Sequence, residues 1–78
     1  MSDHANVCVT MDHFNQRLYV NDATDIDAIV PVEDSIRDAH GEDNVDSRYF
    51  DEYNPGSTVA EKDAFIADKV AEGYTVVS

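Results

Sequence analysis

Apolar and polar positions alternate from Val7 to Met11 and again from Gln16 to Val20, where Leu18 and Val20 fall on one side and Arg17 and Tyr19 on the other. A period of two predicts two strands. Asp12-His13-Phe14-Asn15 between them has the length and turn chemistry of a hairpin loop, so the two strands are expected to pair antiparallel with Phe14 exposed at the tip. After Asn21-Asp22 the period changes. Ile26, Ile29 and Val30 recur at helical spacing until Pro31 interrupts them. Pro31 suits the first position of a helix, Glu33 and Asp34 sit where the positive end of the helix dipole favours acids, and Gly41 follows His40 as a left-handed stop. The pattern therefore predicts a helix over 31–40. The preceding stretch, 22–30, reads equally as a helical turn or a short alternating strand.

Glu42 to Asp46 reads as an acidic loop, and Arg48 to Tyr53 as a third strand with Tyr49 and Tyr53 on one face and Phe50 on the other. Asn54-Pro55-Gly56-Ser57 is a turn, after which Thr58 and Glu61 stand at the separation of a capping box. The helix so marked should run to about Glu72, stop at Gly73 and hand over to a last strand, 74–77. This order predicts a single domain over 1–78 of the α+β class: an antiparallel sheet of about four strands with two helices packed on one face.

Charge changes the picture more than any motif does. Seventeen residues are Asp or Glu and five are Lys or Arg, giving a formal net charge of −12. A small domain stays soluble at a net charge of magnitude ~2 to 8, so the excess carries a cost in self-repulsion and points to a positively charged partner. With 42% hydrophobic residues, among them four Tyr and three Phe, the chain is expected to fold rather than remain disordered. At 78 residues it has room for one modest core. Phe14 or Phe50 could supply a twofold interface that supplements it in a homodimer. Cys8 is the single cysteine and lies in an apolar run, so a buried, reduced thiol and a cytoplasmic setting are expected. Met1-Ser2-Asp3-His4 opens no targeting segment, and no run approaches the ~18 apolar residues of a membrane span.

A helical wheel over the last helix places Val59, Ala60, Ala64, Ile66, Ala67, Val70 and Ala71 on an apolar arc and Glu61, Asp68 and Glu72 in a stripe opposite. At ~1.5 Å of rise per residue these carboxylates stand roughly 10 and 6 Å apart along the axis, an ordered line that nucleic acid matches with about one charge per 3.4 Å of each strand. Phe65 falls beside the stripe, either as an interface anchor or at the margin of the core. Asp43, Asp46, Asp51 and Glu52 form a second acidic group with few cations interleaved.

No catalytic or metal-binding pattern accompanies these acids. His4, His13 and His40 lack the close pairing of zinc ligands, and one thiol adds too little. Asp22, Asp25 and Asp27 lack the glycine and the bidentate acid of a calcium loop. Cys8 and His13 have no spacing that orients a nucleophile and base, and Gly56 is flanked by acids that would repel a phosphate. The expected protein is non-enzymatic, without cofactor, nucleic acid or membrane as direct partner.

Two causes can produce such acidity. One is imitation of nucleic acid, in which carboxylates occupy a Lys- and Arg-lined surface that normally holds phosphates. The other is an interaction module adapted to a high-salt cytoplasm, which twelve Asp against five Glu would suit. In size, charge and mixed fold the chain resembles small phage-encoded inhibitors that act as acidic decoys, the anti-CRISPR proteins and antirestriction DNA mimics. The resemblance rests on no shared motif and assigns no residue. It implies a stoichiometric inhibitor of a basic nucleic-acid-binding complex, such as a CRISPR surveillance complex, in the cytoplasm of the host cell.

Overall fold

Val7–Asp12 forms β1, the strand around which the domain is built. A computed structural model describes residues 4–77, so the expectation drawn from Met1, Ser2 and Asp3 lies outside the described residues. Arg17–Asp22 (β2) and Val45–Phe50 (β3) flank β1, both antiparallel to it, with Val9 opposite Val20 on one side and Arg48 on the other. Thr75–Val76 (β4) adds to the outer edge of β2, and the sheet order is β3-β1-β2-β4. β4 runs parallel to β2, so the sheet is mixed rather than antiparallel as expected. The Thr75 and Val77 amides donate to the carbonyls of Gln16 and Leu18 at 2.8 Å each.

The helices are Ile26–His40 (α1) and Val59–Ala71 (α2), and they cover opposite faces of the sheet, which corrects the expectation of one face. Alternation along β1 shows this directly. Val9 and Met11 join Leu18 and Phe50 in a cluster against which Phe65 and Ile66 of α2 pack. Cys8, Thr10 and Asp12 point the other way, toward α1, where the Ser47 hydroxyl reaches both Thr10 Oγ1 (3.3 Å) and the Glu33 carboxylate of α1. Residues 8–12 of β1 are consequently all buried.

The physical cause is handedness. β2 and β3 are both antiparallel to β1 and hence parallel to each other, so α1 is a crossover from β2 to β3, and α2 is a crossover from β3 back to β4. Parallel crossovers share one hand almost without exception. Two of the same hand running in opposite directions must lie on opposite faces.

α1 also passes straight through Pro31, where two short elements were expected. Asp25 caps it by accepting from the Ala28 amide at 3.2 Å, and Gly41, at φ +95°, ends it. The ring removes one hydrogen bond, to the Asp27 carbonyl, while burial of Ile29 and Ile36 on one face of a continuous helix outweighs that loss. Pro31 is itself exposed. Replacing it should therefore restore the hydrogen bond without disturbing the core. Pro31→Ala is expected to stabilise the domain by about 2 kcal/mol, the difference between the helix-interior penalty and the entropy returned to the unfolded chain. A rise in the urea midpoint at unchanged slope would show it, and a fall would mean that the proline is a packing element.

β3 begins and ends three residues earlier than its aromatic content suggested. The Asp51 carboxylate accepts from the Tyr53 amide (3.0 Å) and from Asn54 Nδ2 (2.7 Å), an Asx turn that diverts the chain after Phe50. Tyr53 is left 83% exposed in the loop, whereas Phe50 is fully buried and supplies no interface of the kind expected for a homodimer.

α2 is rolled relative to its expected apolar arc. Phe65 and Ile66 face the sheet, flanked by the stems of Lys62 and Lys69, while Val59 and Val70 are about half exposed. A ring and two long aliphatic stems bury more apolar area than valines and alanines would, so they set the roll.

Candidate functional site

Glu61, Asp68 and Glu72 are exposed on the outer face of α2, in the stripe that the wheel indicated. Thr58 caps this helix by accepting from the Glu61 amide at 3.1 Å, and Gly73, at φ +110°, follows its end. The stripe therefore sits on a rigid element whose two ends are fixed. Glu72 is 3.7 Å from Lys69. Asp68 has no cation within 4.0 Å among the described residues.

A second stripe lies on α1. Asp27, Asp34 and Asp38 are all exposed and repeat the separations of Glu61, Asp68 and Glu72, seven residues and then four. Each set is thus a line of three carboxylates over about 16 Å of helix. Because the helices cover opposite faces of the sheet, the two lines lie on opposite outer surfaces of the molecule. Asp34 is paired with Arg37 at 2.8 Å. The α1 stripe was hidden in the sequence only by breaking the helix at Pro31; with the helix continuous, the spacing alone reveals it.

The other expected contact residues divide. Asp43 is exposed in the 3-10 turn, Glu42–Asn44, that follows α1. Asp46, 70% exposed at its side chain, lies on the α2 face of β3 and is held by His13 Nε2 at 3.0 Å. Asp51 is half-buried and spent on the Asx turn. Glu52 is exposed beside Tyr53, whose hydroxyl it holds by a hydrogen bond that, with the nearby charges, pushes the phenol above its ordinary range. Phe65 packs into the core, its ring 5.5 Å from that of Phe50. The structure thus brings Glu61, Asp68 and Glu72 together and leaves the second group dispersed around the loops at either end of β3.

Cys8 and His13 are not brought together. Burial pushes the Cys8 thiol up, and it contacts Thr10 at 3.9 Å on the α1 side of β1. His13 lies beyond the end of the strand, with Nδ1 2.6 Å from the Tyr74 hydroxyl. No group of three or more His, Cys, Asp or Glu that could hold a metal occurs among the described residues. Asp22 and Asp25 are engaged locally. The first accepts from the Thr24 hydroxyl and amide, bonds that hold its carboxyl below the ordinary range, and the second caps α1. None of the described helices is long and apolar enough to cross a membrane.

Compared with known protein families, curated proteins and solved structures, the chain matches none at a significant level.

Proposed function

We propose that the chain is a non-catalytic acidic binding protein that occupies a Lys- and Arg-lined nucleic-acid-binding surface, in the manner of a DNA-mimicking inhibitor. The observation that supports this reading is the pair of equally spaced carboxylate lines on the two helices. Each presents three charges over about 16 Å, against about five phosphates on a DNA strand of the same length, on a backbone that does not need to be ordered on binding. On a body whose Cα extents are 40 × 28 × 19 Å, lines on opposite faces cannot meet one flat patch together. They suit a channel or clamp that encloses its ligand, as a groove for duplex or guide nucleic acid does. A CRISPR surveillance complex is one such target.

The test is capture by the intact chain from its native host, followed by challenge of what is retained. A nucleic-acid-binding protein should be released by competing duplex DNA, and affinity should fall at least about tenfold between ~0.05 and ~0.2 M salt. Asp68→Lys with Glu72→Lys, and separately Asp34→Lys with Asp38→Lys, should each weaken capture while the circular dichroism spectrum stays unchanged. Equal capture by both pairs of variants would remove the helix lines from the mechanism.

A second reading has its own support: acids on both outer faces, with Asp outnumbering Glu twelve to five, also suit the solvent shell of an interaction module from a salt-rich cytoplasm. Thermal melts separate the two. A cooperative transition at ~0.1 M potassium chloride removes the second reading, and folding only in molar salt removes the first.

A further inference from the structure

Two of the five Lys and Arg residues of this chain meet at one place. Arg48 and Lys69, with His13, line one cleft of about 630 Å³ between β3, the loop after it and α2. The Arg48 guanidinium lies 4.7 Å from the centre of the Phe50 ring and 5.2 Å from that of Phe65. The Lys69 ammonium lies 5.6 Å from the centres of both Phe65 and Tyr74. Both cations are therefore held over aromatic faces, which fixes their positions without neutralising them.

Arg37 and Lys62 are spent on neighbouring acids at 2.8 and 2.6 Å. Arg48 is not: among the described residues no carboxylate lies within 4.0 Å of it, in a chain with seventeen acids. The nearest rim acids stop short of it, though Glu61 and the Arg48 guanidinium both approach Gly56. Asp46 is held by His13, and Glu61 points its carboxylate at Gly56, where a Cβ would meet it at 2.6 Å. Lys69 leans on Glu72 only at 3.7 Å. Met11, Pro55 and Phe65 supply the apolar part of the lining, and Asp46, Ser47, Tyr49 and Asn54 the polar remainder. Its volume falls in the range of ligand pockets, about 300 to 1,000 Å³.

We infer that this cleft binds a small ligand carrying an oxyanion, a carboxylate or a phosphate, on an apolar body. The oxyanion sits on the Arg48 fork with Lys69 beside it, and the apolar part lies against Phe65, Met11 and Pro55. The planar guanidinium offers paired donors that match either oxyanion. This inference does not depend on the decoy reading: Glu61 and Glu72 of the α2 stripe border the cleft, but neither is asked to contact the ligand.

The experiment is an amide-resolved NMR titration of the intact chain with benzoate, phenyl phosphate and neutral benzyl alcohol. Shifts should concentrate at residues 46–49, 65 and 69, and either anion should bind at least about tenfold more tightly than the alcohol. Preference between benzoate and phenyl phosphate assigns the oxyanion as carboxylate or phosphate. Arg48→Gln and Lys69→Gln should each weaken the preferred anion about tenfold or more, while Arg37→Gln, outside the cleft, should leave it unchanged. If Arg48→Gln fails to fold, Arg48→Lys keeps the charge over the rings but loses the fork, and should still weaken binding. Shifts absent or centred elsewhere, equal binding of benzyl alcohol, or an equal loss in Arg37→Gln would overturn the inference.

Discussion

Phe50→Ala is expected to bring the domain to the edge of unfolding. Phe50 is the largest fully buried side chain among the described residues, at 0% exposure, and its ring joins β3 to α2 through Phe65 and carries the Arg48 guanidinium above it. Truncating a buried Phe costs about 3–5 kcal/mol through lost burial and the cavity left behind. A domain of this size has only about 4–12 kcal/mol to lose. The core is thin, moreover, because no residue of α2 is fully buried and the helix is attached largely through Phe65 and Ile66. The expected result is a melting temperature lowered by roughly 15–30 °C, with α2 losing its side of the core. Phe14→Ala is the control. That ring is 61% exposed and stacks on His40 at 3.9 Å between centroids, and its loss should cost less than about 1 kcal/mol. Similar losses in the two variants would show that the α2 face of the sheet contributes little to stability.

The second large effect belongs to a carboxylate. Asp12 is 2% exposed at the end of β1. Its oxygens accept from the Phe14 amide (3.0 Å), the Asn15 amide (2.9 Å) and Asn15 Nδ2 (2.9 Å), so one side chain closes the hairpin loop. Burial by itself would raise its pKa. The three hydrogen bonds, with the nearby His40, outweigh burial and hold it below the ordinary carboxylate range. Asp12→Ala leaves those donors without their acceptor and should cost about 1–3 kcal/mol.

The same site gives a pH dependence with a definite sign. A carboxyl whose folded pKa is depressed binds its proton more readily in the unfolded chain. Its contribution is therefore complete above the unfolded value, about 3.9, and is lost as pH falls through the lower folded value. Asp22, also depressed, acts in the same direction, and relief of the overall negative charge acts against both. The difference between the wild type and Asp12→Asn isolates the one group. That difference should be constant from neutral pH down to about pH 5 and shrink below pH 4, measured by urea unfolding at each pH. A difference that is unchanged at low pH would mean that the Asp12 charge plays no part in closing the loop.

Much of the local structure was legible in the sequence, and the reasons are particular. The alternation in Val7 to Met11 and Gln16 to Val20 marked the hairpin because side chains in a strand change face at every residue. Thr58, Glu61 and Gly73 marked both ends of α2 because caps are local chemistry. The stripe of Glu61, Asp68 and Glu72 followed from those bounds. Pro31 and Tyr53 misled for opposite reasons. A proline costs one hydrogen bond, which the buried Ile29 and Ile36 outweigh, and a tyrosine with strand propensity was diverted by the Asx turn at Asp51. The α1 stripe of Asp27, Asp34 and Asp38 was lost with the first of these.

By itself the chain determined its charge, the ends of its second helix and the line of acids along that helix. The tertiary structure alone decided the order of the strands, and with it nearly everything that places a site. Pairing β4 parallel to β2 made both helices crossovers in opposite directions, and a common hand then put them on opposite faces. From that follow the two acidic lines on opposite surfaces, the burial of Thr10 and Asp12 within the sheet, and the meeting of Arg48, Lys69 and His13, three side chains distant in sequence, at one cleft. Such features depend on contacts between residues tens of positions apart, which no local pattern of residues encodes.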